Sequence, residues 1–235
     1  IPKGSSSEGP TPMASSSASG IHGQRASLPS TVLQPCSSSS MEKGTPGLVL
    51  GKEEDKMGQR ASGTVGLFFD GCRVGADHLI GRRGHGYHLA LAALGPGRVG
   101  ISGLCLGLAE AALAAGTAWA QERKAFGKTV ADFQNTRFVL ADCRTELDAA
   151  WLLALRAATL LDAGEKAVAE TSMAKLFASE TCARVVDRMV QVHGGYGYSR
   201  DVPVERLYRD ARVTRIYEGT SEVQRLLISR ELLEG

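Results

Sequence analysis

Hydrophobic and polar positions change rhythm along these 235 residues, and the change divides the chain. From residue 84 onward apolar side chains recur at helical spacing. Leu91, Leu94, Ile101, Leu104, Leu108 and Leu113 fall largely three, four or seven apart, which predicts an amphipathic helix over 87–121. Gly95 and Pro96 mark either a kink within it or a helix start. Leu140, Leu147, Trp151, Ala154, Ala158 and Leu161 predict a second helix over about 135–161, stopped by Asp162-Ala163-Gly164. Met173, Leu176, Phe177, Val186 and Val190 predict a third over about 166–191, ending at His193-Gly194-Gly195. A short helix over 204–211 follows. A last one begins near Thr220 and carries Val223, Leu226, Leu227 and Leu233. Long amphipathic helices on short connections pack as an antiparallel bundle.

Upstream the rhythm is different. Residues 41–82 read as short strands punctuated by Gly44, Pro46, Gly47, Gly58 and Gly63. Val65, Leu67 and Phe69 alternate with Gly66 and Phe68, and Asp70-Gly71 closes the run. So few strands need a partner surface. Residues 1–40 have no period at all. Thirteen of them are Ser and only Lys3, Glu8 and Arg25 are charged, so burial cannot offset the entropy of ordering them. The expected organisation is a Ser-rich tail or foreign segment at 1–40, a partial β domain at 41–82 and a helical domain at 83–235. The fold class is mainly α: a C-terminal four-helix bundle preceded by that partial β domain.

Composition narrows the function. Hydrophobic residues make up 43% and charged residues 22%, a globular composition. With Lys plus Arg at 27 and Asp plus Glu at 25, the net charge of +2 gives no reason to expect nucleic acid as a partner. No apolar run reaches the roughly 18 residues of a membrane span, and no targeting segment is readable. Five scattered cysteines (36, 72, 105, 143, 182), none in a CxxC, argue against a disulfide framework or a cysteine zinc site and for a reducing compartment. The five histidines (22, 78, 85, 88, 193) have no convincing ligand spacing, and no metal site is expected.

Three places concentrate residues suited to chemistry. At Gln121–Lys128, Arg123 could hold a phosphate beside Phe126 and Gly127, or simply serve the helix dipole as part of a basic C-terminus. At Gln191–Tyr198, Gly194, Gly195 and Gly197 exceed what one helix stop needs. A flat or phosphorylated ligand lying close to backbone would explain them, and so would a tight turn. At Ile216–Glu222, Thr220 or Ser221 could cap the final helix, which leaves Glu218 just outside a helix N-terminus. A carboxylate there is a plausible general base in a dry site, or a surface Glu before a cap.

Taken together, Arg123-Lys124-Ala125-Phe126-Gly127, Gln191-Val192-His193-Gly194-Gly195-Tyr196-Gly197-Tyr198, and Tyr208-Arg209-Asp210-Ala211-Arg212 through Ile216-Tyr217-Glu218-Gly219-Thr220-Ser221-Glu222-Val223-Gln224-Arg225 strongly resemble the acyl-CoA dehydrogenases in order and spacing. Glu54–Ser62, Phe69-Asp70 and Leu79-Ile80-Gly81 resemble the end of that family's middle β domain, so the resemblance covers about 41–235. It implies a helical domain of acyl-CoA dehydrogenase type. It also implies FAD as cofactor and oxidation of an acyl-CoA thioester to the trans-2-enoyl-CoA. Electron-transferring flavoprotein is the implied partner, a homodimer or homotetramer the implied assembly, and the mitochondrial matrix or bacterial cytoplasm the implied location.

By resemblance Glu218 occupies the position of the catalytic base, removing an α proton as the β hydrogen leaves as hydride to flavin. Branches that carry the base before the residue matching Arg98 have an acid where this chain has Gly95-Pro96-Gly97. Arg98 and Gly219 match substrate contacts. Arg123 and Phe126 match contacts to the FAD of a neighbouring subunit, and Gln191, Gly194 and Gly195 match further contacts to its ADP part. Thr220 and Glu222 match positions at the subunit's own cofactor. The family's N-terminal helical domain and first half of the β domain have no counterpart within these residues. Two other functions therefore stay open: an oligomerising helical module without catalysis, and an acyl-CoA oxidase.

Overall fold

The computed structural model describes residues 38–234. The expectation for the Ser-rich stretch therefore lies almost wholly outside the described residues. They fall into two units.

The first unit comprises residues 38–49 and 67–86. Here strand β1 (Ser38–Ser39) pairs antiparallel with β4 (Leu79–Ile80), Ser38 opposite Ile80 and Ser39 opposite Leu79. Between them in sequence, β2 (Leu48–Glu53) pairs with β3 (Val65–Phe69) as a two-stranded ribbon, of which residues 50–53 and 65–66 are counted with the second unit. All of β3 is exposed, so the Val65, Leu67, Phe69 alternation does form a strand but buries neither face.

The second unit, residues 50–66 and 87–235, holds the helices. They are α1 (Gly86–Glu122), α2 (Gln134–Asp162), α3 (Val168–His193), α4 (Val204–Ala211) and α5 (Ser221–Glu234). Helix α1 runs unbroken through Pro96. The carbonyl of Ala92, which Pro96 cannot serve, sits at an exposed position, so water can satisfy it. A hairpin of β5 (Lys124–Ala125) and β6 (Lys128–Thr129) follows α1. Its two-residue turn, Phe126-Gly127, has positive φ at both positions, as such tight hairpins require.

Helix α3 is the hub. It packs on α2, α4 and α5, and α1 lies against it where Met189 fills the space beside Gly116. The core consists mainly of small residues: Cys105, Ala109 and Ala112 of α1, Cys143, Ala150 and Ala154 of α2, and Ala178, Cys182 and Val185 of α3, with Leu106, Leu113, Leu147 and Met189 filling between them. This corrects the expected faces. Leu91, Leu104, Trp151, Val223, Leu226 and Leu233 are exposed, because small side chains, not bulky ones, let these helices approach. The abundant Ala and Gly also make α1 apolar enough by length and composition to cross a membrane, its most apolar 18-residue stretch having a mean hydropathy of 1.6. In this fold α1 gives Cys105, Leu106, Ala109, Ala112 and Leu113 to the core.

Candidate functional site

Two sites lie at opposite ends of the bundle. At one end the chain leaves α4, makes a short turn and enters α5, and Glu218 sits in the connection. Glu218 has φ 53 and Gly219 φ 90. A non-glycine residue in that left-handed region costs about 1–2 kcal/mol, so its surroundings must hold it there.

They do so from several directions. Glu180 of α3 accepts from Arg215 Nε at 2.9 Å and Ser221 Oγ at 2.7 Å, which ties down both ends of the connection. Lys175 Nζ donates to the Gly219 carbonyl at 2.7 Å. Gln224 Nε2 donates to the carbonyls of Glu218, at 3.1 Å, and Gly219, at 3.0 Å. The segment around Gly58 docks on α4. Gln59 N–H donates to Asp210 Oδ1, Arg209 donates to the Met57 carbonyl at 2.9 Å, and Gln59 Nε2 donates to Tyr217 OH at 3.3 Å. Gly58 is needed there, since a Cβ would lie 2.3 Å from the Arg209 carbonyl oxygen.

The Glu218 carboxylate faces Gly97 of α1, where a Cβ would stand only 2.7 Å from Glu218 Oε2. Oε2 is buried without a hydrogen-bond partner, and so is Nε of the neighbouring Arg98. Burial pulls the Arg98 guanidinium below its ordinary pKa and the nearby Glu218 charge pulls it back up. Among the described residues, Arg98 Nη1 donates to Ser172 Oγ at 3.4 Å. Burial raises the Tyr217 phenol, and the bond from Gln59 opposes it. Thr220 is the cap of α5, accepting from Val223 N–H at 3.4 Å. The exposed Glu222 beside it is held below the usual carboxylate range by its own backbone N–H and by Thr220. Thus Arg98, Glu218, Gly219, Thr220 and Glu222 gather at this end.

At the other end, the last turn of α1 and the stop of α3 make an open cleft of ≈ 590 Å³ lined by Trp119, Arg123, Gln191, His193, Gly194 and Gly195, among others. Trp119 stacks on His193 with centroids 5.0 Å apart and meets Tyr196 at 5.1 Å. The Arg123 guanidinium lies 5.3 Å from the Tyr196 ring centre. His193 is fixed through Nδ1 to the Met189 carbonyl at 2.7 Å. Gly194 takes φ 61, ψ −140, which only glycine adopts freely, and both Gly194 and Gly195 face open space. Phe126 stands on the adjacent hairpin, 95% exposed. Arg123, Gln191, Gly194 and Gly195 therefore share one cleft, with Phe126 beside it rather than within it.

The two ends are far apart. Arg98 lies on α1 and Arg123 directly follows its last residue, 25 residues on, roughly 37 Å at 1.5 Å per residue. A cation, backbone N–H groups at glycines and flat aromatic faces suit a phosphate and an aromatic ring system. The carboxylate at the other end, with its Oε2 buried, suits proton transfer from a weak carbon acid.

Lys175 and Glu180 escaped the sequence reading, and Gln224, though within the last motif, was given no role. For Lys175 the signal was phase: it stands three residues before Ala178 and seven before Cys182, where α3 is buried.

Residues 84–233 match the family model described as acyl-CoA dehydrogenase, C-terminal domain. An acyl-CoA dehydrogenase of Bacillus subtilis is 48% identical over 195 residues, covering 83% of this chain and 52% of the relative. The mouse mitochondrial short-chain specific acyl-CoA dehydrogenase is 47% identical over 191 residues, 81% of this chain and 46% of that protein. The solved butyryl-CoA dehydrogenase of Megasphaera elsdenii superposes with a TM-score of 0.82 at 41% identity, over 84% of this chain and 51% of its own. The chain thus spans about half the length of the curated relatives it matches. With the family model covering most of the chain and the helical fold shared, the chain belongs to the acyl-CoA dehydrogenase family.

Proposed function

We propose that this chain carries the proton-abstracting end and part of the cofactor-holding surface of an FAD-dependent dehydrogenase. The reaction converts an acyl-CoA thioester to its trans-2-enoyl-CoA. The observation that carries this reading is the buried, unpartnered Glu218 Oε2 facing the bare backbone of Gly97. A thioester α proton is weakly acidic, and a carboxylate removes it only when desolvated and aimed. Glu218 Oε2 accepts that proton. Arg98 and the backbone at Gly219 line the substrate side. Two of the matched relatives are named for short acyl chains, which supports a short-chain substrate.

The residues fit FAD in two groups. Arg123 would pair with its pyrophosphate, with Gln191, Gly194 and Gly195 close to the ADP part and Phe126 packed on it. Thr220 and Glu222 would meet the cofactor at the reacting end. When bound, FAD supplies the two-electron acceptor. The roughly 37 Å between the groups supports a homodimer or homotetramer in which one subunit's cleft serves another subunit's reacting end. Exposed Phe138, Trp151, Leu152 and Leu155 on α2 supply apolar surface for such an assembly. Electrons would pass on to electron-transferring flavoprotein.

The test is the visible spectrum of the purified chain, loaded with FAD, before and after anaerobic butyryl-CoA. A flavin spectrum that bleaches supports the reading. Rapid return of colour in air would point to an acyl-CoA oxidase. No flavin uptake would point to a helical module that assembles without catalysis.

A further inference from the structure

The connection carrying Glu218 is held by two side chains with no evident reason to be polar. Lys175 on α3 and Gln224 on α5 are both fully buried. Each spends its donor on a backbone carbonyl: Lys175 on Gly219 at 2.7 Å, Gln224 on Glu218 at 3.1 Å and Gly219 at 3.0 Å. Two consecutive carbonyls are thus gripped from opposite helices, at the two residues with left-handed backbone, φ 53 and φ 90. The grip needs Gly219, because a Cβ there would lie 2.5 Å from Gln224 Nε2.

Neither side chain is a good choice for packing alone. A buried ammonium bonded to a neutral carbonyl loses its hydration without gaining a counter-charge at hydrogen-bond distance, and apolar residues of similar volume usually serve a core as well or better. Burial accordingly lowers the Lys175 pKa. Gln224 leaves its own Oε1 buried without a partner. Both polar groups are tolerated where they fix one peptide segment, and the side chain that leaves that segment is the Glu218 carboxylate.

We propose that Lys175 and Gln224 are positioning residues that clamp the Glu218–Gly219 carbonyls and so hold the Glu218 carboxylate against Gly97. The catalytic consequence rests on the reading of Glu218 as the base, whereas the clamp itself does not. Neither residue touches the reacting atoms, so their effect is on rate and local order rather than on substrate binding.

Lys175→Met and Gln224→Met, compared with Glu218→Gln in the full chain, test this. In hydrogen exchange followed by mass spectrometry, both clamp variants should exchange at least tenfold faster in peptides covering 216–221, with α1 and α2 unchanged. Lys175→Met should melt no lower than the parent, since it removes a buried charge. In the FAD-loaded protein, the rate constant for reduction at saturating butyryl-CoA should fall at least tenfold with the dissociation constant within twofold. Either clamp change should add nothing in a Glu218→Gln background, because a residue acting only through Glu218 has no route without it.

Unchanged exchange at 216–221 in both variants overturns the clamp. So does faster exchange shared by all helices, which marks general destabilisation, and so does a loosened connection with an unchanged reduction rate. Should Lys175→Met fail to fold, Gln224→Met carries the same measurements. A Glu218→Gln protein that reduces at the parent rate overturns the base reading instead, and the exchange comparison still decides the clamp.

Discussion

The two ends of the bundle solve different physical problems. Around Glu218 the buried Lys175, Ser221 and Gln224 and the half-buried Glu180 are tied to the connection, and the buried side-chain atoms left unpartnered among the described residues are Glu218 Oε2, Arg98 Nε and Gln224 Oε1. Around Trp119 the groups are open: Arg123 lies over an exposed ring, Phe126 is 95% exposed, and the glycines face empty space. One end is a connection tied down around a single carboxylate. The other presents an open surface of aromatic rings, a cation and bare backbone. Chemistry that needs fixed geometry belongs in the first, where the protein holds the carboxylate in place. Binding that needs area and a cation belongs in the second.

The largest effect that would break this contrast is at the dry end. Glu218→Gln keeps the shape and the carbonyl grips but removes the proton acceptor. Reduction of bound flavin by acyl-CoA should fall by about 10²–10⁴-fold, with flavin content unchanged, read by stopped-flow absorbance. A loss of flavin instead would mean that this end holds cofactor more than it moves protons.

A smaller effect is expected at the open end. Arg123→Ala removes one charge-assisted contact, worth about 1.5–3 kcal/mol, so FAD affinity should weaken by about 10–100-fold. Equilibrium dialysis would read it. The reduction rate of the protein that remains loaded should stay near the parent value. If rate and affinity fall together, the two ends are not separable in the way their geometry suggests.

How much of this was readable before the fold was known follows the same divide. Glu218, Thr220, Arg123, Gln191, Gly194 and Gly195 lie in short contiguous runs, where turn chemistry and helix stops are local, and those runs could be placed at helix ends from sequence. The helices themselves were legible from periodicity to within a few residues. The helix faces were not. Leu104 and Trp151 looked like core and are exposed, while Cys105, Ala109 and Ala150 are buried, because close helix approach rewards small volume over hydrophobicity. The roles of Lys175 and Gln224 were not legible for a related reason: their partners lie 44 and five or six residues away and exist only once α3 and α5 meet the connection.

The smallest effect uses acid to separate the ends. Among the carboxylates that cross-link the helices, two have depressed pKa values: Glu146, bound to Arg184 at 2.7 Å and Arg188 at 2.8 Å, and Glu180, bound to Arg215 and Ser221. Burial would raise both, but bonds from their partners outweigh it and hold both below the ordinary Glu value. A depressed folded-state pKa contributes stability that is present above the unfolded value, about 4.3, and is lost as pH falls through the folded one. Melting temperature should therefore fall as pH drops below about 4.3. Exposed and half-exposed pairs of this kind are worth about 0.2–1 kcal/mol each, so Glu146→Gln and Glu180→Gln should each remove only a small part of that slope. They should differ in place. Glu180 anchors both ends of the Glu218 connection, so Glu180→Gln should speed hydrogen exchange at 216–221 already at neutral pH. Glu146→Gln, which touches only α2 and α3, should leave that connection at the parent rate. Equal exchange in the two variants would mean that the dry end draws its order from the bundle as a whole and not from its own anchors.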